Sequence, residues 1–160
     1  MQGKYFSFGA TSAVLTGLGV IVGLSGTANA VVSTVSALIV IAIADNISDS
    51  FGIHIHQESQ KESVTEVRKT TFANFTTRAL VTAVFVLFVI LLPIQIAVVL
   101  SILLGLAIIT FISYFIAKEQ KTNPYRIVLQ HLLLTIIVIA ASFLLRELSS
   151  GLVARFMPQP

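Results

Sequence analysis

Asp45 and Asp49 stand four residues apart in an otherwise apolar stretch, a spacing that puts both carboxylates on one face of a helix. Gly52 and His56 continue that face. Hard divalent cations prefer carboxylate oxygens and imidazole suits iron or manganese, so the stripe points to cation binding or proton carriage. A carboxylate deep in a membrane span costs roughly 2.5–3.5 kcal/mol on insertion scales, which is why membrane acids face a partner, a cavity or an ion path. At the watery end of a helix the same residues need no ligand, and that reading stays open beside the first.

Further candidates lie on both sides of the pair. His54 and Glu58 are spaced to meet on a helix, whereas His54 and His56 point to different sides, so a site using both needs a bend. Glu58, Glu62 and Glu66 recur at every fourth position, as a cation-gathering vestibule or as a solvated helix surface relieved by Lys61 and Lys69. The candidate metal ligands are therefore Asp45, Asp49, His54, His56, Glu58, Glu62 and Glu66. Ser12 and Thr16 in the first apolar run, with Asn46 and Ser48 in the second, are candidate pathway-lining residues. Ser12, Thr16, Gly19 and Gly23 also repeat at helical spacing, the pattern of a close helix–helix contact. His131 and Thr135 share a face further on, either as a proton relay or as a hydrogen-bonded packing pair. No phosphate loop, nucleophile elbow or metalloprotease motif occurs, so an enzyme is not expected. Cysteine is absent, which removes thiolate metal sites and disulfides.

The elements that position these residues are membrane spans. From Tyr5 to Ala44, and again from Ala79 to Ala117, there is no Asp, Glu, Lys, Arg or His. A hydrocarbon core about 30 Å thick needs roughly 20 apolar helical residues, so each run is long enough for a hairpin of two spans. Apolar residues make up 56% of the chain and charged residues 11%, against about 25% charged in a soluble domain. The expected architecture is all-α, one transmembrane domain over 1–160 with five spans at about 8–24, 30–51, 79–92, 95–117 and 127–145. Pro93 ends the third span. The segment 54–78 reads as a cytoplasmic helical loop between spans two and three.

Five spans put the termini on opposite sides. Lys4, Lys61, Arg68, Lys69, Arg78, Lys118, Lys121 and Arg126 fall on one side, and only Arg146 and Arg155 on the other. The excess of basic residues predicts a cytoplasmic N-terminus and an external or luminal C-terminus. A formal charge of +3, scattered among spans, gives no reason to expect nucleic acid.

The sequences Gly9-Ala10-Thr11-Ser12-Ala13, Val22-Gly23-Leu24-Ser25-Gly26 and Ala44-Asp45-Asn46-Ile47-Ser48-Asp49-Ser50-Phe51-Gly52 resemble the vacuolar iron transporter family. The resemblance implies five spans, a cytoplasmic metal-binding segment after span two, and a homodimer that moves ferrous iron or manganese, with protons as the counter-ion. Three departures stand out. Ser12 and Ala13 occupy the family's span-one acid and glycine, Asp49 stands at its span-two methionine, and Ile53 at its following glutamate. The segment 54–78 is far shorter than the family's metal-binding domain, and Met1 and Met157 are the only methionines, so no thioether lies in a pore.

The expectation is a multi-pass carrier of Fe2+ or Mn2+ in the cell membrane or an internal membrane. It would have no permanently bound cofactor, with lipid, the ion and a second copy as partners. The alternative is a related membrane subunit that has lost transport and serves a structural or accessory role.

Overall fold

A computed structural model describes residues 2–156. Met1 and Met157, on which the thioether argument draws, lie outside the described residues. The described chain is all-helical and forms five long rods. These are α1 (Gln2–Leu24); α2 (Ala30–Val40), a π-helical turn (Ile41–Asp45) and α3 (Asn46–Ser59) in one unbroken rod; α4 (Val64–Leu91); α5 (Ile94–Glu119); and α6 (Pro124–Phe156). Each rod contains a stretch long and apolar enough to cross a bilayer, as in a multi-pass membrane protein.

The helices outrun their apolar spans, because polar residues continue a helix without interrupting its hydrogen bonding. His54–Ser59 completes α3, Gln60–Ser63 turn the chain, and Val64–Arg78 is already the first half of α4. The segment 54–78 is thus parts of two long helices joined by a tight turn, and the break at Gln60 keeps Glu58, Glu62 and Glu66 off any common helix face. Ser63 starts α4 by accepting the Glu66 amide at 3.3 Å, with Glu66 itself in the first helical turn.

The turns that follow α3 and α5 close the same way. Lys61 (φ 58°) and Lys121 (φ 54°) adopt the left-handed conformation just past the helix end. In each case the next amide reaches back five residues, Glu62 to the Gln57 carbonyl at 3.3 Å and Thr122 to the Ala117 carbonyl at 3.0 Å. Pro93 makes the opposite hairpin. Leu92 is extended (φ −124°, ψ 152°), α4 stops at Leu91, and the Pro93 carbonyl accepts the Ala97 amide at 2.9 Å to begin α5.

Helix α1 is the axis of the bundle. Ala10, Ala13, Val14, Leu18, Ile21 and Val22 are all buried, and Val14, Leu18 and Ile21 join Leu38, Phe85, Val89, Ala97 and Ile109 in the apolar core. Small residues make that centrality possible. A Cβ on Gly17 would sit 2.5 Å from the Phe85 ring, so α4 crosses α1 directly on the glycine. Outside, the pattern of a soluble protein is inverted. Helix α6 exposes Leu133, Leu134, Ile136, Ile137, Leu144 and Leu145, and the α2–α3 rod exposes Val40, Ile43, Ile47 and Phe51, the surface a helix turns to lipid.

Candidate functional site

The inward face of α4 is periodic. Val67, Thr70, Asn74, Thr77, Arg78, Thr82, Phe85 and Val89 are all buried along it. Phe85 and Val89 enter the apolar core, while Thr70 and Asn74 bond to α3 and Arg78 to both α3 and α1. The Asn46 amide donates to the Phe75 carbonyl at 2.9 Å, the Asn74 amide to Ser50 Oγ at 3.1 Å, and the Thr70 hydroxyl to Gln57 Oε1. A Cβ on Gly9 would lie 2.8 Å from Asn74 Oδ1 and 3.0 Å from the Asn74 carbonyl oxygen, so α1 approaches α4 closely at this level.

One helical turn further along, the Arg78 guanidinium is 2% exposed. Its Nη2 pairs with Asp45 Oδ2, and its Nη1 with Asp49 Oδ2 and Ser12 Oγ. The Ser12 hydroxyl in turn donates to Asp49 Oδ2 at 3.2 Å. The two nitrogens of one planar fork thereby hold two acids that stand a turn apart. Asp45 is the last residue of the π-helical turn, where the Asn46 amide reaches the Ile41 carbonyl, and such wide turns recur at functional positions in helices. Ser12 lies six residues past Phe6, where the apolar stretch of α1 begins, or about 9 Å inside it at the helical rise.

Two acids share one arginine, so with both ionised the cluster keeps one uncompensated negative charge. The Asp45 and Asp49 side chains are 43% and 33% exposed. Their contacts fall on Oδ2, and Oδ1 of each takes no hydrogen bond from the described residues. Beyond Asp49 the flank stays open, since an added Cβ on Gly52 would meet nothing within 4 Å, and His56 at its end is exposed.

Arg78 corrects the expectation drawn from composition, which set it among the water-facing charges of a loop. The helical period of α4 turns it inward, on the face that carries Phe85 two turns later. The other basic residues assigned to that end, Lys61, Arg68, Lys69, Lys118, Lys121 and Arg126, are exposed.

The remaining candidates scatter. His54 pairs with Glu58 (Nε2–Oε1 3.4 Å) and meets the Thr71 hydroxyl through Nδ1 at 3.4 Å. Glu62 is exposed in the turn, Glu66 is half-buried at the start of α4, Thr16 is half-buried on α1, and Ser48 is exposed. Among the described residues no three His, Asp or Glu side chains converge on one point, so the seven candidate ligands do not form a single site within one chain. The small-residue stripe of α1 also divides. Gly23 has open space beside it, and the close approaches are at Gly9 and Gly17.

A second polar cluster joins α5 to α6. His131 Nδ1 lies 2.7 Å from Ser113 Oγ, Ser113 also donates to the Ile109 carbonyl at 2.6 Å, and the Thr135 hydroxyl donates to the His131 carbonyl at 2.9 Å.

No family model matches the chain, and neither the curated proteins nor the solved structures contain a match to it.

Proposed function

We propose that the chain is a membrane carrier of a divalent cation, ferrous or manganous ion, that works as a homodimer with a cytoplasmic N-terminus. The observation that carries this reading is that one buried guanidinium holds two partly exposed carboxylates, a cluster of formal charge minus one per copy with both acids ionised. The cluster sits inside a rod apolar enough to cross a bilayer, where a net charge open to lipid is costly. A second copy covering the same flank removes that cost. One divalent ion between two clusters then brings their joint charge to zero, and the Oδ1 atoms, up to four, supply oxygen ligands of the hard type such ions take.

In this mechanism Arg78 keeps its grip on Oδ2 of both acids while Oδ1 binds the ion. It aims the carboxylates, with Ser12 holding Asp49 from the side of α1. It also moderates the field, because four bare carboxylates would hold a divalent ion too tightly to release it. The open flank past Gly52 to His56 is the path by which the ion arrives.

Protein reconstituted in liposomes is expected to pass Mn2+ or Fe2+, and Asp49→Asn to stop the flux while the melting midpoint in detergent stays within a few degrees. Undiminished flux in that variant removes the site. The accessory-subunit reading is favoured by one observation, the absence of any three-ligand cluster among the described residues. It predicts no flux for the wild-type chain.

A further inference from the structure

Three cavities open side by side around Phe6, where α4 and α5 part. The innermost, about 480 Å³, is walled by Ala10 of α1, Leu80 and Val81 of α4, and Ala107, Ile108 and Phe111 of α5. The second, about 660 Å³, continues along Phe111 and Ile112 to Lys118 and Glu119. The third, about 460 Å³, runs along Thr70 and Phe72 to Lys69. Phe6 walls all three; the first is lined almost wholly by apolar residues, and the other two each reach one lysine, so they are taken together as one slot with Lys118 and Lys69 at its margins.

The dimensions decide what fits. Leu80 lies eleven residues from Lys69, and Ala107 eleven from Lys118, which at about 1.5 Å per residue places the amines roughly 16 Å from the floor. That is about half of a 30 Å hydrocarbon core, the depth of one leaflet. The walls stay apart because Ala10 and Ala107 fill little space between helices that Pro93 ties together only at their far ends. At the mouth Glu119 is the one acid lining these cavities, and Arg68 and Lys121 add exposed positive charge at the same end of the bundle.

We propose that this slot binds one anionic phospholipid from the leaflet at the α3–α4 and α5–α6 end, an acyl chain along Phe111 and Leu80 and its phosphate between Lys69 and Lys118. The site uses none of the residues of the cation cluster and stands independently of it. Lysines at a membrane surface attract acidic headgroups, and two of them, partly offset by Glu119, supply on the order of a tenfold preference over a zwitterionic lipid.

The test is native mass spectrometry of the full chain in detergent, titrated with dioleoyl phosphatidylglycerol, dioleoyl phosphatidylcholine or glycerol 3-phosphate. Phosphatidylglycerol is expected to form a one-to-one adduct at roughly one-tenth the concentration that phosphatidylcholine needs. Glycerol 3-phosphate is expected not to compete. Ala107→Phe, and to a lesser degree Ala107→Leu, should fill the slot and remove the adduct. Lys69→Gln with Lys118→Gln, both at exposed positions, should keep the adduct and erase the preference. Equal affinity for the two lipids in the wild-type chain overturns the proposal. So does an adduct that survives both Ala107 substitutions, or displacement of the lipid by glycerol 3-phosphate, which would mark a site for soluble phosphate.

Discussion

Two of the polar clusters in the bundle, Ser113–His131 and Asp45–Asp49–Arg78, differ in the acids they contain. Between α5 and α6, Ser113 meets His131 Nδ1 and the Ile109 carbonyl, and the Thr135 hydroxyl donates to the His131 carbonyl. Between α1, α3 and α4, Arg78 is sealed while its two acids remain partly open, with a charge left over. Hydrogen bonds of this kind, with no acid among them, are how a polar side chain is tolerated among helices. An open, unbalanced cluster costs stability unless a further partner completes it, which is why the candidate function belongs to Arg78 and its acids and not to His131.

The largest expected effect tests that contrast at its centre. Arg78→Met leaves two carboxylates facing each other without a counter-charge. The loss should be about 2–3 kcal/mol, below that of a fully buried pair because both acids are partly solvated. Chemical unfolding in detergent reads it, and adding Asp45→Asn and Asp49→Asn should recover most of the loss. No recovery would mean that Arg78 matters for its packing alone.

Gly9→Ala ranks next, because its methyl group meets Asn74 side chain and backbone and must push α1 off α4. The expected cost is about 1–3 kcal/mol, and Ser12 should draw away from Arg78. An unchanged melting midpoint would show that the two helices adjust freely there.

His131→Ala should cost least, about 1 kcal/mol, since Ser113 retains its bond to the Ile109 carbonyl. Cation flux should be untouched. A lost flux would move the functional site to the other half of the bundle.

The five spans were legible because uncharged runs of this length admit few other readings, and Pro93 marked a helix end before any coordinates. The pairing of Asp45 with Asp49 followed from spacing alone. Arg78 was missed because it sits where composition changes from polar to apolar, and composition assigns such a residue to water. Its signal was periodic instead: Thr70, Asn74 and Arg78 fall on the face that continues into Phe85 and Val89, and a face that ends in the core begins there too. The turn at Gln60 was hidden for a different reason. Lysines occupy the left-handed positions where glycine would have announced a helix end, and the Ser63 cap on the Glu66 amide went unread. That one guanidinium reaches both carboxylates depends on how three helices meet, which no local pattern encodes.

On the proposed function, each copy presents one uncompensated negative charge to a shared divalent ion. Titration of the detergent-purified chain with Mn2+, followed by the paramagnetic resonance signal of the free ion, tests it most directly. The account predicts saturable binding of one ion per two chains, abolished by Asp49→Asn and tightened by Arg78→Gln. Absence of saturable binding, or the same binding in Asp49→Asn, would contradict it.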